Sequence, residues 1–305
     1  MATEIPFNRD FDWQYGVAET LSPLVRRVVA RNPSPFTFKG TGTYVIGHGQ
    51  VAMIDPGPDL ADHVAALLDA LRGETVTHIL ITHTHLDHSP AAAAVKRATG
   101  AKTYGYGRHG SGRAEDRAGI GGKTEEGGDH DFVPDVTMRD GDTVTGPGWR
   151  LGAIETPGHT SNHLSFHLAE ENTLFSGDHV MGWSTSVIAP PDGDMASYMR
   201  SLGKLLHRED ALYRPTHGPA IADPRPFVAA FIAHRNERSA AILERLALGD
   251  RTIEAIVREV YRGLDPRLVP AAGRSVLAHL VALVEEGRVH ADGPPRLDAS
   301  YRIKG

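Results

Sequence analysis

Hydrophobic and polar positions alternate from Thr41 onward, and the spacing switches between two residues and about 3.6 residues several times along the chain. TGTYVIGHGQVAMIDPG, from Thr41 to Gly57, holds two β-rich runs joined by Gly47-His48-Gly49, which predicts a hairpin ending at Asp55-Pro56-Gly57. Leu60, Val64, Leu67, Leu68 and Leu71 recur at helical spacing over residues 60–72, and VTHILI at 76–81 reads as a buried strand. A helix over Pro90–Thr99 follows. From Gly100 to Asp140 glycine is frequent and apolar periodicity lapses, so a loop or lid is expected there. Strands resume at 150–156, 163–168 and 172–178, and a helix spans about 195–206. Strand and helix alternating in this way give an α/β class, with helices packed outside β layers.

After Pro226 the period stays helical. FVAAFIAHRNERSAAILERLALG, TIEAIVREVY and SVLAHLVALVEEG predict three helices, and RVHADGPPRLDASYRI a short hairpin. Three helices and a β wing suggest a winged-helix appendage, which divides the chain into residues 1–230 and 231–305. The start, MATEIPFNRD, is polar and acidic, and no run of about 18 apolar residues stands out. The expectation is a soluble, cytoplasmic protein with no membrane partner.

Charge and composition narrow the chemistry. The net charge of −6 argues against broad adhesion to nucleic acid or anionic surfaces. Residues 235–305 hold 12 basic and 10 acidic side chains, which leaves −8 on the rest. With 17 His and no Cys, the chain has no cysteine nucleophile, disulfide or Cys-based metal site, so a metal here must be held by imidazole and carboxylate.

The densest chemistry follows the strand at 76–81, in THTHLDHSP. His83 and His85, two apart in an extended segment, point the same way and can grip one ion, while Asp87 and His88 can turn toward a second. His159 in ETPGHT, Asp178 in LFSGDH and His217 in RPTHGP each stand in a Gly- or Pro-marked turn. His163 and Asp55 are candidates to orient these donors. Tyr198 is a further candidate, by packing or by a hydroxyl that reaches substrate.

In order and type these residues resemble the metallo-β-lactamase superfamily. NPSPFTFKGTGTYVIG at 32–47, SGDHVMGWST at 176–185 and HRNERSAAILERL at 234–246 resemble its β-lactamase-like protein 2 group. The resemblance implies a four-layered αββα sandwich with a small C-terminal winged-helix-like domain. It implies two Zn2+, with Mn or Fe possible on the same donors. His83, His85 and His159 would hold the first ion, Asp87, His88 and His217 the second, and Asp178 would bridge them. A water shared by the pair would become the nucleophile near neutral pH, with Asp87 also relaying the proton. The expected function is hydrolysis of an ester, thioester or lactone, with the substrate a small molecule. The alternatives are an endoribonuclease acting on single-stranded RNA and a non-catalytic binding protein on the same scaffold. The Cys-free site with two Asp donors turns the expectation away from antibiotic hydrolysis.

Overall fold

The computed structural model describes residues 3–113 and 127–304. Its larger sheet has seven strands in chain order: β1 (Glu19–Thr20), β2 (Val25–Val29), β3 (Gly42–Ile46), β4 (Gln50–Ile54), β5 (Thr75–Leu80), β6 (Lys102–Gly105) and β7 (Val136–Thr137). The pairs up to β3–β4 are antiparallel and the later ones parallel. Parallel pairing needs crossovers, which α1 (Ala61–Ala70) supplies between β4 and β5 and α2 (Ala91–Thr99) between β5 and β6. Gly100 ends α2 in the left-handed conformation at φ 73°, accepted there without steric penalty.

The smaller sheet runs β12-β11-β10-β9-β8, from β8 (Thr143–Gly146), β9 (Trp149–Glu155), β10 (Leu164–Leu168), β11 (Thr173–Gly177) and β12 (Leu212–Pro215). Its one parallel pair, β11–β12, is bridged by α3 (Met195–Leu206), capped by the Asp194 carboxylate on the Ser197 amide.

Alternation along the strands builds the layers. On β4, Ala52 and Ile54 turn inward to Leu80, Leu151 and Phe166, whereas Val51 and Met53 turn outward to Leu67 of α1 and Val95 of α2. The outer face of the smaller sheet, with Leu174 and Tyr213, is covered by Tyr198 and Leu202 of α3 and Phe231 of α4 (Pro224–Ala247). The order is therefore helix, sheet, sheet, helix, as expected.

α4 continues past this core. Its later residues Ile242 and Leu246 join α5 (Ile253–Val260), α6 (Val269–Glu285) and the hairpin β13 (Val289–Ala291) and β14 (Tyr301–Ile303) in a separate cluster. Position 230, where the sequence suggests a division, lies inside this unbroken helix.

Three expectations need correction. The segment expected as a lid over 100–140 contains β6 and β7 of the larger sheet, and its residues 114–126 lie outside the described residues. β1, β2, β8 and β12 have no counterpart in the sequence reading; they are two to five residues long. Finally, among the described residues one helix, Pro266–Glu285, is by length and composition apolar enough to cross a membrane, with mean hydropathy 1.4. Arg274, Ser275 and His279 interrupt its apolar run, which is why no continuous stretch is visible. Leu277, Leu280 and Val281 pack it into the C-terminal core, and 56% of its apolar window is buried.

Candidate metal centre

The candidate donors leave the carboxyl ends of strands at one edge of the sandwich. His83, His85, Asp87 and His88 follow β5; His159 follows β9, Asp178 follows β11 and His217 follows β12. Close turns make this possible. At Gly158, φ is 140° and a Cβ would fall 2.3 Å from Tyr198 Cα; at Gly177, φ is 53° and a Cβ would fall 2.5 Å from His163 Nε2. Only glycine lets the chain turn at both places.

The structure brings all seven candidates into three overlapping groups whose ligand atoms lie within 4.8 Å of one another: His83, His85 and His159; His83, His88 and Asp178; Asp87, His88 and His217. His83 Nε2 is 2.9 Å, and His159 Nε2 3.1 Å, from His85 Nδ1. Asp178 Oδ2 is 3.5 Å from His88 Nε2, 3.8 Å from His159 Nε2 and 3.4 Å from His217 Nε2. Asp87 Oδ2 is 3.0 Å from His217 Nε2.

Surrounding acceptors fix which nitrogen faces the centre. His159 Nδ1–H donates to the Val187 carbonyl at 2.6 Å, His217 Nδ1–H to the Gly40 carbonyl at 3.0 Å, and His88 Nδ1–H to Asp55 Oδ2 at 2.9 Å. Each bond puts the proton on Nδ1 and turns the Nε2 lone pair inward, the usual way a protein presents imidazole to a metal. Asp55 is fully buried and takes three further bonds, from the Thr82 amide and hydroxyl at 2.7 Å each and from Thr216 Oγ1 at 3.1 Å. It adopts φ 50°, a conformation that non-glycine residues rarely hold and that the surrounding bonds enforce.

His163 is also buried. Its Nε2 accepts from the Asp178 amide at 3.2 Å and its Nδ1 lies 2.8 Å from Thr156 Oγ1, so it positions the backbone of Asp178. Tyr198 does not reach substrate: its ring is fully buried and its hydroxyl donates to the His179 carbonyl at 2.8 Å.

The electrostatics fit a cation. Burial opposes charge on every member, and it holds His83 and His85 well below the usual imidazole range, with neighbouring imidazoles adding to the effect. Burial acts the same way on His217, but Asp178 and Asp87 outweigh it and push His217 up to about 10. His88 is raised for the same reason, chiefly by Asp87 and Asp178 against burial. Both carboxyls are held below the carboxylate range by His88 and His217, despite burial. Asp178 Oδ1 is buried without a hydrogen-bond partner, and His88 Nε2 and His217 Nε2 point at the carboxylates of Asp87 and Asp178. Lone pairs and carboxylates that converge with a polar atom left unpaired fit divalent metal binding.

Several residues around the centre are not evident from sequence. His109 lies 3.0 Å, through Nδ1, from Thr84 Oγ1 and shares a cavity with His85 and His159. Phe36, Ala271 and Arg274 line the same cavity, the last two from α6 of the C-terminal region. The RHG triplet within the glycine-rich stretch was the only local sign of His109.

A helix–sheet–sheet–helix sandwich that gathers His and Asp at its strand ends defines the metallo-beta-lactamase class of fold. Residues 37–217 match the Metallo-beta-lactamase superfamily and residues 252–294 the Beta-lactamase associated winged helix domain. The chain belongs to this superfamily, whose members are usually hydrolases. It is 31% identical to the Beta-lactamase-like protein 2 homolog of Drosophila melanogaster, over 88% of this chain and 90% of that one. It is 29% identical to an Atrochrysone carboxyl ACP thioesterase of Claviceps purpurea, over 80% and 74%. Among solved structures, a metallo-beta-lactamase family protein from Thermus thermophilus covers 93% of this chain and 100% of its own, at 25% identity and TM-score 0.74.

Proposed function

We propose that the chain is a binuclear zinc-dependent hydrolase of acyl thioesters or related esters and lactones of small molecules. The observation that carries the reading is the convergence of three donor groups that share His83 and His88. His83, His85 and His159 would hold one ion, Asp87, His88 and His217 the other, and Asp178 would lie between them. Bound there, the metal pair supplies Lewis acidity and a water acidified toward neutral pH.

The chain's own residues supply the geometry. Asp55, Val187 and Gly40 orient His88, His159 and His217, while His163 fixes the backbone of Asp178. Asp87 is less enclosed than the other donors, and its exposed edge would relay a proton. His109, whose pKa burial lowers, would offer a ring nitrogen to the substrate from the cavity wall. The thioesterase name of a relative sharing 29% identity supports the acyl substrate class.

A second reading, cleavage of single-stranded RNA, is favoured by one surface feature. Phe38 stacks on Trp183 at 4.6 Å, Phe11 and Trp13 extend the array, and Lys39 lies over Phe11 at 4.8 Å. Aromatic faces with an interleaved cation suit stacked bases. Trp183 also abuts Gly218, next to His217.

The test is metal analysis of purified protein followed by parallel assays on acyl thioesters and single-stranded RNA. Two equivalents of zinc, thioester turnover and its loss in His85→Ala are expected. Intact thioester beside cleaved RNA would replace the first reading by the second, and a fully loaded protein inert on both would remove each.

A further inference from the structure

A second cavity, of about 730 Å3, lies between α3, α4 and α6, away from the donor cluster. Met195, Met199 and Leu243 give it an apolar wall, and Arg200, Arg235 and His279 give it polar groups. Two of these are deeply buried: Arg235 is 4% exposed and His279 is fully buried. Arg235 donates through Nη2 to the Ser186 carbonyl, but its Nε has no partner and no carboxylate pairs with it among the described residues. His279 has Nδ1 2.9 Å from Ser239 Oγ and leaves Nε2 unpartnered. Glu286, the carboxylate on the cavity wall, is already 3.3 Å from Arg288.

A buried guanidinium without a counter-ion is costly, and the cost falls when an anion meets it. Arg200 stands on the exposed rim with the same charge. Methionine and leucine walls accept a flexible hydrocarbon chain. We propose that this cavity binds an amphipathic monocarboxylate, its head group between Arg235, Arg200 and His279 and its alkyl chain along Met195, Met199 and Leu243.

The site also touches the metal centre's support. Ser186, whose carbonyl Arg235 holds, bonds through its hydroxyl to the Asp178 carbonyl at 2.5 Å and the His179 carbonyl at 2.8 Å. The next residue, Val187, orients His159. An acyl acid is also what thioester hydrolysis releases; that link rests on the function proposed above, whereas binding of the acid does not.

Calorimetric titration of the full chain with decanoate tests the inference. Saturable one-to-one binding is expected, at least tenfold weaker for decanol, which keeps the chain and lacks the charge. Arg235→Gln and Arg200→Glu should each weaken decanoate binding at least tenfold; the exposed rim position of Arg200 guards against a mere folding defect. His85→Ala, which removes a candidate metal donor, should retain it. The inference is overturned by the absence of saturable binding, by equal affinity for decanol, or by binding that survives both arginine variants or disappears in His85→Ala. Turnover of thioesters is not part of the readout, so a failed hydrolase assay leaves this result standing.

Discussion

Asp55→Asn changes one buried oxygen to an amide nitrogen, and the structure says which one. Oδ1 accepts from the Thr82 backbone N–H at 2.7 Å, a donor that cannot reverse, so the asparagine oxygen must stay there. The new NH2 then replaces Oδ2, which meets the Thr82 hydroxyl at 2.7 Å, His88 Nδ1 at 2.9 Å and the Thr216 hydroxyl at 3.1 Å. Hydroxyls can rotate to accept. His88 can accept only by moving its proton to Nε2, the nitrogen that faces Asp87 and Asp178 at 3.5 Å. A proton on that atom blocks coordination. The loss is one charge-assisted hydrogen bond, about 1.5–3 kcal/mol, and orienting carboxylates of this kind are typically worth roughly 10–100-fold in metal affinity. Zinc competition against a chromogenic chelator should show one class of site weakened by about that factor in D55N. The other class, on His83, His85 and His159, should move less. Unchanged affinity at both sites would refute the claim that Asp55 sets the His88 tautomer.

Other outcomes follow from the same geometry. Metal affinity should rise with pH, because His217 at about 10 and the raised His88 carry protons that a metal must displace; a competition titration from pH 6.5 to 8.5 that stays flat would contradict this. His279 is depressed to about 3 by burial and nearby arginines. The unfolded chain therefore takes its proton near pH 6.5 while the folded chain does not, and the stability it contributes is present above that pH and lost as pH falls. Between pH 6.5 and 5 the loss is roughly 2 kcal/mol, so His279→Gln should flatten urea-midpoint curves by that amount, and parallel curves would sink the idea. Gly158→Ala places a Cβ 2.3 Å from Tyr198 Cα. It should cost about 3 kcal/mol or more through strain beside His159, seen as a lowered Tm together with lost metal retention.

The donor set was legible because its signals are local. Four candidate donors fall within THTHLDHSP, and the other three, each weak by itself in a Gly- or Pro-marked turn, stand out because their order resembles the family's. Strands β1, β2 and β12 were not, since each is at most five residues long; β2 and β12 also owe their places to partners on separate segments of the chain, and β1 is a two-residue edge paired only with β2. The role of Tyr198 was half legible: its position at the start of α3 is local, but the His179 carbonyl that takes its hydroxyl belongs to the loop after β11. His109 and Arg274 carry no periodic signal, and only the fold sets them beside His85 and His159.

The C-terminal region is often the easiest part of such a chain to read as an attachment, and the contacts here argue otherwise. α4 has Phe227, Val228 and Phe231 in the core beneath the smaller sheet and Ile242 and Leu246 in the C-terminal core, so the two cores share one rigid element. Between these sets stands Arg235, bonded to the Ser186 carbonyl in the loop that carries Asp178. α6 returns from the C-terminal core and places Ala271 and Arg274 on the wall of the cavity that holds His85 and His159. A helix that spans both cores and a wall drawn from the C-terminal region make that region part of the frame around the candidate metal centre. Its packing should then affect substrate choice as well as stability. Arg274→Gln, which leaves the donor set and both cores in place, separates these effects: a changed ratio of kcat/KM for anionic over uncharged thioesters reports on the wall, and an unchanged ratio would confine the region to structural support.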